Sequence, residues 1–162
     1  MIQDVSGDIL LSKADLVAHG VAPNDDFHHG LALALRDRWP GMYKDFRHYC
    51  HVSHPKSGSI WTWAGPGVRI AALFTQEEAY GHGAKPGRAH LNHVNHALRE
   101  LHKFIESEKI TSVALPRLAT GVGGLEWTDV RPLIEEHLGT IGIPVYVYST
   151  YISGQEPSVA GA

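Results

Sequence analysis

An α/β fold, a mixed central sheet covered by helices on both faces, is the class this sequence predicts, on three observations. Short β-branched or aromatic runs alternate with helical periodicity from end to end. The 162 residues, 43% of them hydrophobic, suffice to close one core and are short for two. Nowhere do about 18 consecutive apolar residues occur, so no membrane span is expected.

Each element has its own signal. Residues 2–5 read as a first strand and 14–21 as a second, apolar enough to be buried on both faces, with a turn at Gly7 between them. Residues 30–38, rich in Leu and Ala, read as a buried helix that Pro40 and Gly41 stop. A helical piece over 42–51 precedes a loop at 54–58, and strands follow at 59–64 and 68–75, joined by Gly65-Pro66-Gly67. The segment GHGAKPGR, 81–88, has no apolar period and reads as a flexible surface loop. Leu91, Val94, Leu98, Leu101 and Ile105 recur at steps of three and four, which predicts a long helix over 89–108 with one apolar stripe. A strand at 112–115, a loop over 116–127 and an amphipathic helix with Thr128 as its N-cap come next. Residues 144–151 alternate valine and tyrosine as a last strand. Residues 1–152 thus form the domain, and 153–162 a flexible C-terminal tail with nothing to pack.

Charge and composition exclude several functions. Fourteen Lys and Arg against seventeen Asp and Glu leave a net charge of −3, so general nucleic-acid binding is not expected. Cys50 is the only cysteine, so no internal disulfide forms, and with no charged-then-apolar leader the chain reads as cytoplasmic and monomeric. Twelve histidines stand out. His90, His93 and His96 lie on the polar side of the long helix, yet no acidic or cysteine ligand shares their turn and no His-Glu-x-x-His occurs; no metal and no cofactor is called for. The same holds for His48, His51 and His54. His19 reads as a hydrogen-bonded core histidine, Cys50 as a packing residue, and Trp61, Trp63 and Trp127 as core or rim.

Three places could carry chemistry. The loop 119–127 leaves a strand and enters a helix with three glycines in four positions, Gly121, Gly123 and Gly124. Its amides could converge on an anion near a positive dipole end, or it could be a tight connection only. Neither a Walker loop nor a G-x-G-x-x-G is present. A second junction, 25–32, runs from a polar loop into the Leu/Ala helix. At Gly7-Asp8-Ile9 a lone carboxylate at a strand end could accept from an exocyclic amine, or simply form a turn.

Together these segments resemble the macrodomain family over about residues 2–151: GDILLSKADLVAHGVA, HHGLALALRDRWP, IAALFTQ, LPRLATGVGGLEWTDVRPLIEEHL and PVYVYST. The resemblance implies a three-layer α/β/α fold that binds ADP-ribose. By it, Asp8 and Ile9 hold adenine, and Thr120, Gly121, Val122, Gly123, Gly124 and Leu125 cradle the pyrophosphate. Phe27, His28, Gly30 and Leu31 would line the diphosphate and distal ribose. Tyr148 and Tyr151 would lie near the adenine, or pack as ordinary strand residues.

Within the family the chain looks most like the terminal ADP-ribose protein glycohydrolase branch, whose members remove ADP-ribose from acidic side chains. It departs from that branch in four places. Gln76 stands where the catalytic lysine would be, Gly123 where the aspartate would be, His28-His29-Gly30 where a Gly-Ala-Gly is usual, and Ala22 replaces a polar residue. A lysyl intermediate at position 76 is therefore excluded. The remaining mechanism is a positioned water, with Gln76 holding it and either the bound diphosphate or His29 taking the proton; Glu77 and Glu78 are spare bases. The activity implied is hydrolysis of mono-ADP-ribose from protein Glu or Asp, so ADP-ribose and ADP-ribosylated proteins are the expected partners. The alternatives are a non-catalytic ADP-ribose reader and an ADP-ribose 1″-phosphate phosphatase.

Overall fold

The computed structural model describes residues 2–78, 87–159 and 161–162. Most of the GHGAKPGR segment, 81–86, lies outside the described residues. The chain runs β1 (Ile2–Gly7), a 3-10 turn (Ile9–Leu11), β2 (Leu16–Val21), α1 (Gly30–Arg38), α2 (Pro40–Ser53), β3 (Ile60–Gly65), β4 (Val68–Phe74), α3 (Leu91–Ser107), β5 (Val113–Pro116), α4 (Trp127–Leu138) and β6 (Val145–Tyr151). The strands form one six-stranded sheet in the order β1-β6-β5-β2-β4-β3. Every pairing is parallel except β3 with β4. Five strands therefore end along one edge, and open α/β sheets present their ligand sites at such an edge.

The period-two alternation of the central strands divides the core in two. On one face Leu16, Ala18, Leu73, Val113 and Val147 pack beneath α3 and α4, whose stripes Val94, Leu98, Leu101 and Val130, Ile134, Leu138 are fully buried. Truncating Leu98 to alanine would cost about 2–5 kcal/mol by the usual loss of contacts around a core cavity. On the other face Ile70, Ala72 and Phe74 meet Phe46, Met42 and Leu35 of α2 and α1, and beside them Val5, Ile9, Val17, Tyr146 and Tyr148 form a smaller cluster. Helices on both faces make three layers, as expected.

Three expectations change. Helix α1 keeps its bounds but is not buried: only Leu35 is fully enclosed and Leu33 is exposed, because one face of the helix is turned to solvent. Helix α4 begins two residues earlier than a Thr128 cap allows; Glu126 is the N-cap residue, and its side chain makes no capping bond. Residues 153–162 do not lack partners either. Ser158 N–H donates to Ser6 O at 3.1 Å, Lys13 N–H to Ala162 O at 3.0 Å, and Ala162 sits in the cluster with Val5 and Tyr148. Backbone groups hold this segment, which a composition count does not register. Among the described residues no helix is long and apolar enough to cross a membrane.

Candidate functional site

Two chain corners meet at the carboxyl edge of the sheet. The first leads into α1. Asp25 folds it: one carboxylate oxygen accepts the Phe27 N–H at 2.9 Å and the other the Ala22 N–H at 3.1 Å. The turn holds Phe27 at φ 54° and drops its ring into the core against His19 and Phe46. Gly30, at φ 57°, then starts the helix. His29, the N-cap residue, makes no side-chain capping bond, so the first-turn amides keep their donors for a ligand.

The second corner follows β5. Leu125 N–H returns to Ala119 O at 3.0 Å and Gly124 N–H to Gly121 O at 3.1 Å, closing a tight loop. Within it the amides of Gly121, Val122 and Gly123 donate to none of the described residues. Gly123 is buried, and a Cβ there would meet Ala119 O at 2.6 Å and Ala89 Cβ at 2.9 Å. The position that carries an aspartate in the branch this chain resembles is packed here too tightly for any side chain.

Between the corners lies a cleft of about 170 Å³. His29, Gly30, Leu31, Gln76, Gly121, Val122 and Gly123, all singled out from the sequence, line it together. Gln76 is nearly enclosed, and its Nε2 donates to Gly87 O at 3.1 Å. Because a carbonyl can only accept, the amide must present its NH₂ there, which leaves Oε1 as an acceptor. Gln76 also forms a β-bridge with Ala89, whose N–H donates to Gly123 O at 3.0 Å. Residues 76 and 123 are thus tied through one intermediate.

The other expected ligand contacts lie elsewhere. Phe27 is a core residue, turned inward by the Asp25 turn, and does not line the cleft. His28 is exposed and pairs with Asp26 at 3.3 Å. Thr120 Oγ1 donates to Arg117 O, Gly124 completes the turn, and Leu125 packs on the core beneath α3 and α4. Tyr148 is buried in its strand among Val5 and Ile9, where burial pushes its phenol up, while Tyr151 is mostly exposed. Asp8 is buried outside the cleft with both oxygens engaged: Leu10 N–H donates at 2.9 Å and Gly154 N–H at 2.8 Å. It stands at the end of β1 on the same sheet edge, with β6 between it and β5.

Sequence reading missed Asp25 and His19 as cleft residues. The Asp25-x-Phe27 spacing of an Asx turn was the available signal for the first. His19 is core, as expected, but its ring nitrogens have no hydrogen-bond partner among the described residues, and burial lowers its pKa to about 4. Burial also raises the Asp25 carboxyl above the ordinary range, two backbone N–H groups opposing it. Cys50 is buried and its thiol is pushed up, so it offers no nucleophile. Among the described residues no group of three or more His, Cys, Asp or Glu is placed to hold a metal ion.

A mixed sheet between two helical layers, with a helix start and a glycine loop facing each other across its carboxyl edge, is the macrodomain arrangement, and the chain has the macrodomain fold. No family model matches it. It superimposes on the macrodomain of Thermus aquaticus DarG with a TM-score of 0.81 and 26% identity, over 92% of this chain and 98% of that one. Among curated proteins it is similar to the DNA ADP-ribosyl glycohydrolase of Thermus aquaticus, 27% identical over 150 residues, which are 91% of this chain and 41% of that protein. It is also similar to the human ADP-ribose glycohydrolase OARD1, 24% identical over 146 residues, 90% of this chain and 89% of that protein. The chain thus spans well under half the length of the first of these relatives.

Proposed function

We propose that this macrodomain is an ADP-ribosyl hydrolase that releases mono-ADP-ribose from its acceptor through a positioned water. One observation carries the reading: unpartnered amides of Gly121–Gly123 and the uncapped start of α1 line the same cleft as Gln76. The diphosphate of ADP-ribose would sit on those amides, where a helix start and a glycine loop both favour an anion. The distal ribose would reach toward Gln76 and Asp25. Gln76 Oε1 accepts a hydrogen bond from the water and aims its oxygen at ribose C1″. As that bond forms, the C1″–O bond to the acceptor breaks, the leaving oxygen takes the electron pair, and His29 takes the water proton. With no lysine at position 76, no lysyl-enzyme intermediate forms.

The acceptor we propose is a glutamate or aspartate side chain of a protein, because a carboxylate leaves readily without a nucleophile. The name of the human relative supports ADP-ribose release in general. Relatives named as DNA ADP-ribosyl glycohydrolases favour a second acceptor, DNA. The test incubates the full chain with glutamate-modified protein and with ADP-ribosylated DNA, and analyses products. Free ADP-ribose with restored protein supports the first acceptor, and restored DNA the second. Ligand bound unchanged makes the chain a reader, and inorganic phosphate from ADP-ribose 1″-phosphate makes it a phosphatase. No binding of ADP-ribose by calorimetry removes the reading.

A further inference from the structure

The segment expected to fray is the one that touches Asp8. After β6 the chain turns at Gly154, φ 75°, and runs back along the end of β1. Ile152 N–H donates to Gly7 O at 3.1 Å, Asp8 N–H donates to Gln155 O at 2.9 Å, and Gly154 N–H donates to the Asp8 carboxylate at 2.8 Å. The strap thus offers Asp8 one donor and one acceptor side by side, the pattern an amino-substituted purine edge would offer. Gly7, at φ 139°, makes room for it: a Cβ there would meet Pro157 Cα at 3.0 Å and Glu156 O at 3.1 Å.

The strap is held by backbone rather than by packing. Side chains 152–156 are all exposed, and the apolar anchors are Val159, partly buried, and the single methyl of Ala162. Segments with few buried apolar contacts open at low cost, well below global unfolding. Asp8 itself stays, because its other oxygen caps the 3-10 turn through Leu10 N–H.

We infer that residues 152–159 are a self-ligand at the base end of the site, occupying Asp8 in the free protein and leaving it when a nucleobase takes the same carboxylate. This rests on the proposed reading that ADP-ribose is the ligand with its base toward Asp8. The free protein would engage the diphosphate and distal ribose first, at the open cleft. Its affinity for the whole nucleotide is then lowered by the fraction of molecules whose strap is closed.

The experiment compares the full chain with Gly154→Pro, which removes the N–H given to Asp8 and cannot adopt φ 75°. Calorimetry with ADP-ribose should show about tenfold tighter binding for the variant, as expected for one or two released hydrogen bonds, with ribose 5-phosphate unchanged. Amide exchange on the unaltered protein covers the case in which the variant does not fold: saturating ADP-ribose should deprotect Gly154 and Ser158 while protecting Gly121–Gly123. Unchanged ADP-ribose affinity in a folded Gly154→Pro, or Gly154 still protected with ADP-ribose bound, overturns the strap and leaves the hydrolase reading standing. Failure of ADP-ribose to bind either protein overturns both.

Discussion

At the cleft end of the carboxyl edge, the donors of Gly121–Gly123 and of the α1 start are open, and the side chains that could act, Gln76 and His29, stand beside them. At the β1 end, the donor and acceptor of Asp8 are already filled by the chain itself. Both ends came from sequence features of similar weight, a glycine loop and a lone carboxylate after a glycine. What separates them is whether another part of the chain reaches the group. An unpaired polar group signals a ligand only once its intramolecular competitors are known.

Four substitutions sharpen or break this contrast. The largest effect belongs to His19 under the cleft. From its ordinary value of 6.5 down to about 4, the unfolded chain takes up a proton that the folded chain refuses, so stability falls with pH across that window. The total loss is ~3 kcal/mol, complete below the folded value and absent above the unfolded one. Asp25 works in the opposite sense, since a raised carboxyl holds its proton more tightly when folded and adds stability as pH drops through its folded value. His19→Leu should flatten the fall seen in urea unfolding between neutral and acid pH, and a slope that persists in His19→Leu would assign it to other groups.

Gln76→Ala should lower kcat by about 100-fold with KM changed less than about threefold, the signature of a group that acts on the water rather than on the bound nucleotide. Equal losses in ADP-ribose affinity and turnover would make Gln76 a binding residue. Gly123→Ala drives a methyl into Ala119 O, so ADP-ribose binding should weaken by roughly 10- to 100-fold as the loop shifts. Calorimetry reads this directly, and an unaltered affinity would place the diphosphate elsewhere. The smallest change is expected at Asp8. Asp8→Ala removes the partner of the base and the partner of the strap together, so the two losses offset and ADP-ribose affinity should move by roughly threefold. A loss beyond about 30-fold would mean that the strap does not compete.

Sequence reading was accurate where the signal was local. The stripe Leu91, Val94, Leu98, Leu101 and Ile105 set α3 to within two residues at its N-terminus, and the turn Gly65-Pro66-Gly67 set the β3–β4 hairpin. It faltered where a residue's role depends on a partner remote in sequence. Phe27 is expected to line the diphosphate until the Asp25 carboxylate turns it inward, and His19 reads as hydrogen-bonded until the packing leaves its nitrogens without partners among the described residues.

By itself the sequence determined the layer order, the strand and helix positions, the absence of a lysine at residue 76 and the glycine at 123, because periodicity, turn chemistry and residue identity are properties of the chain alone. Only the tertiary structure decided which of the marked residues share a cleft, that Gly123 admits no side chain, and that a polar, glycine-bearing tail closes over Asp8. Those outcomes depend on hydrogen bonds and contacts between segments up to about 150 positions apart, and a backbone N–H carries no mark in the sequence of where it will find its acceptor.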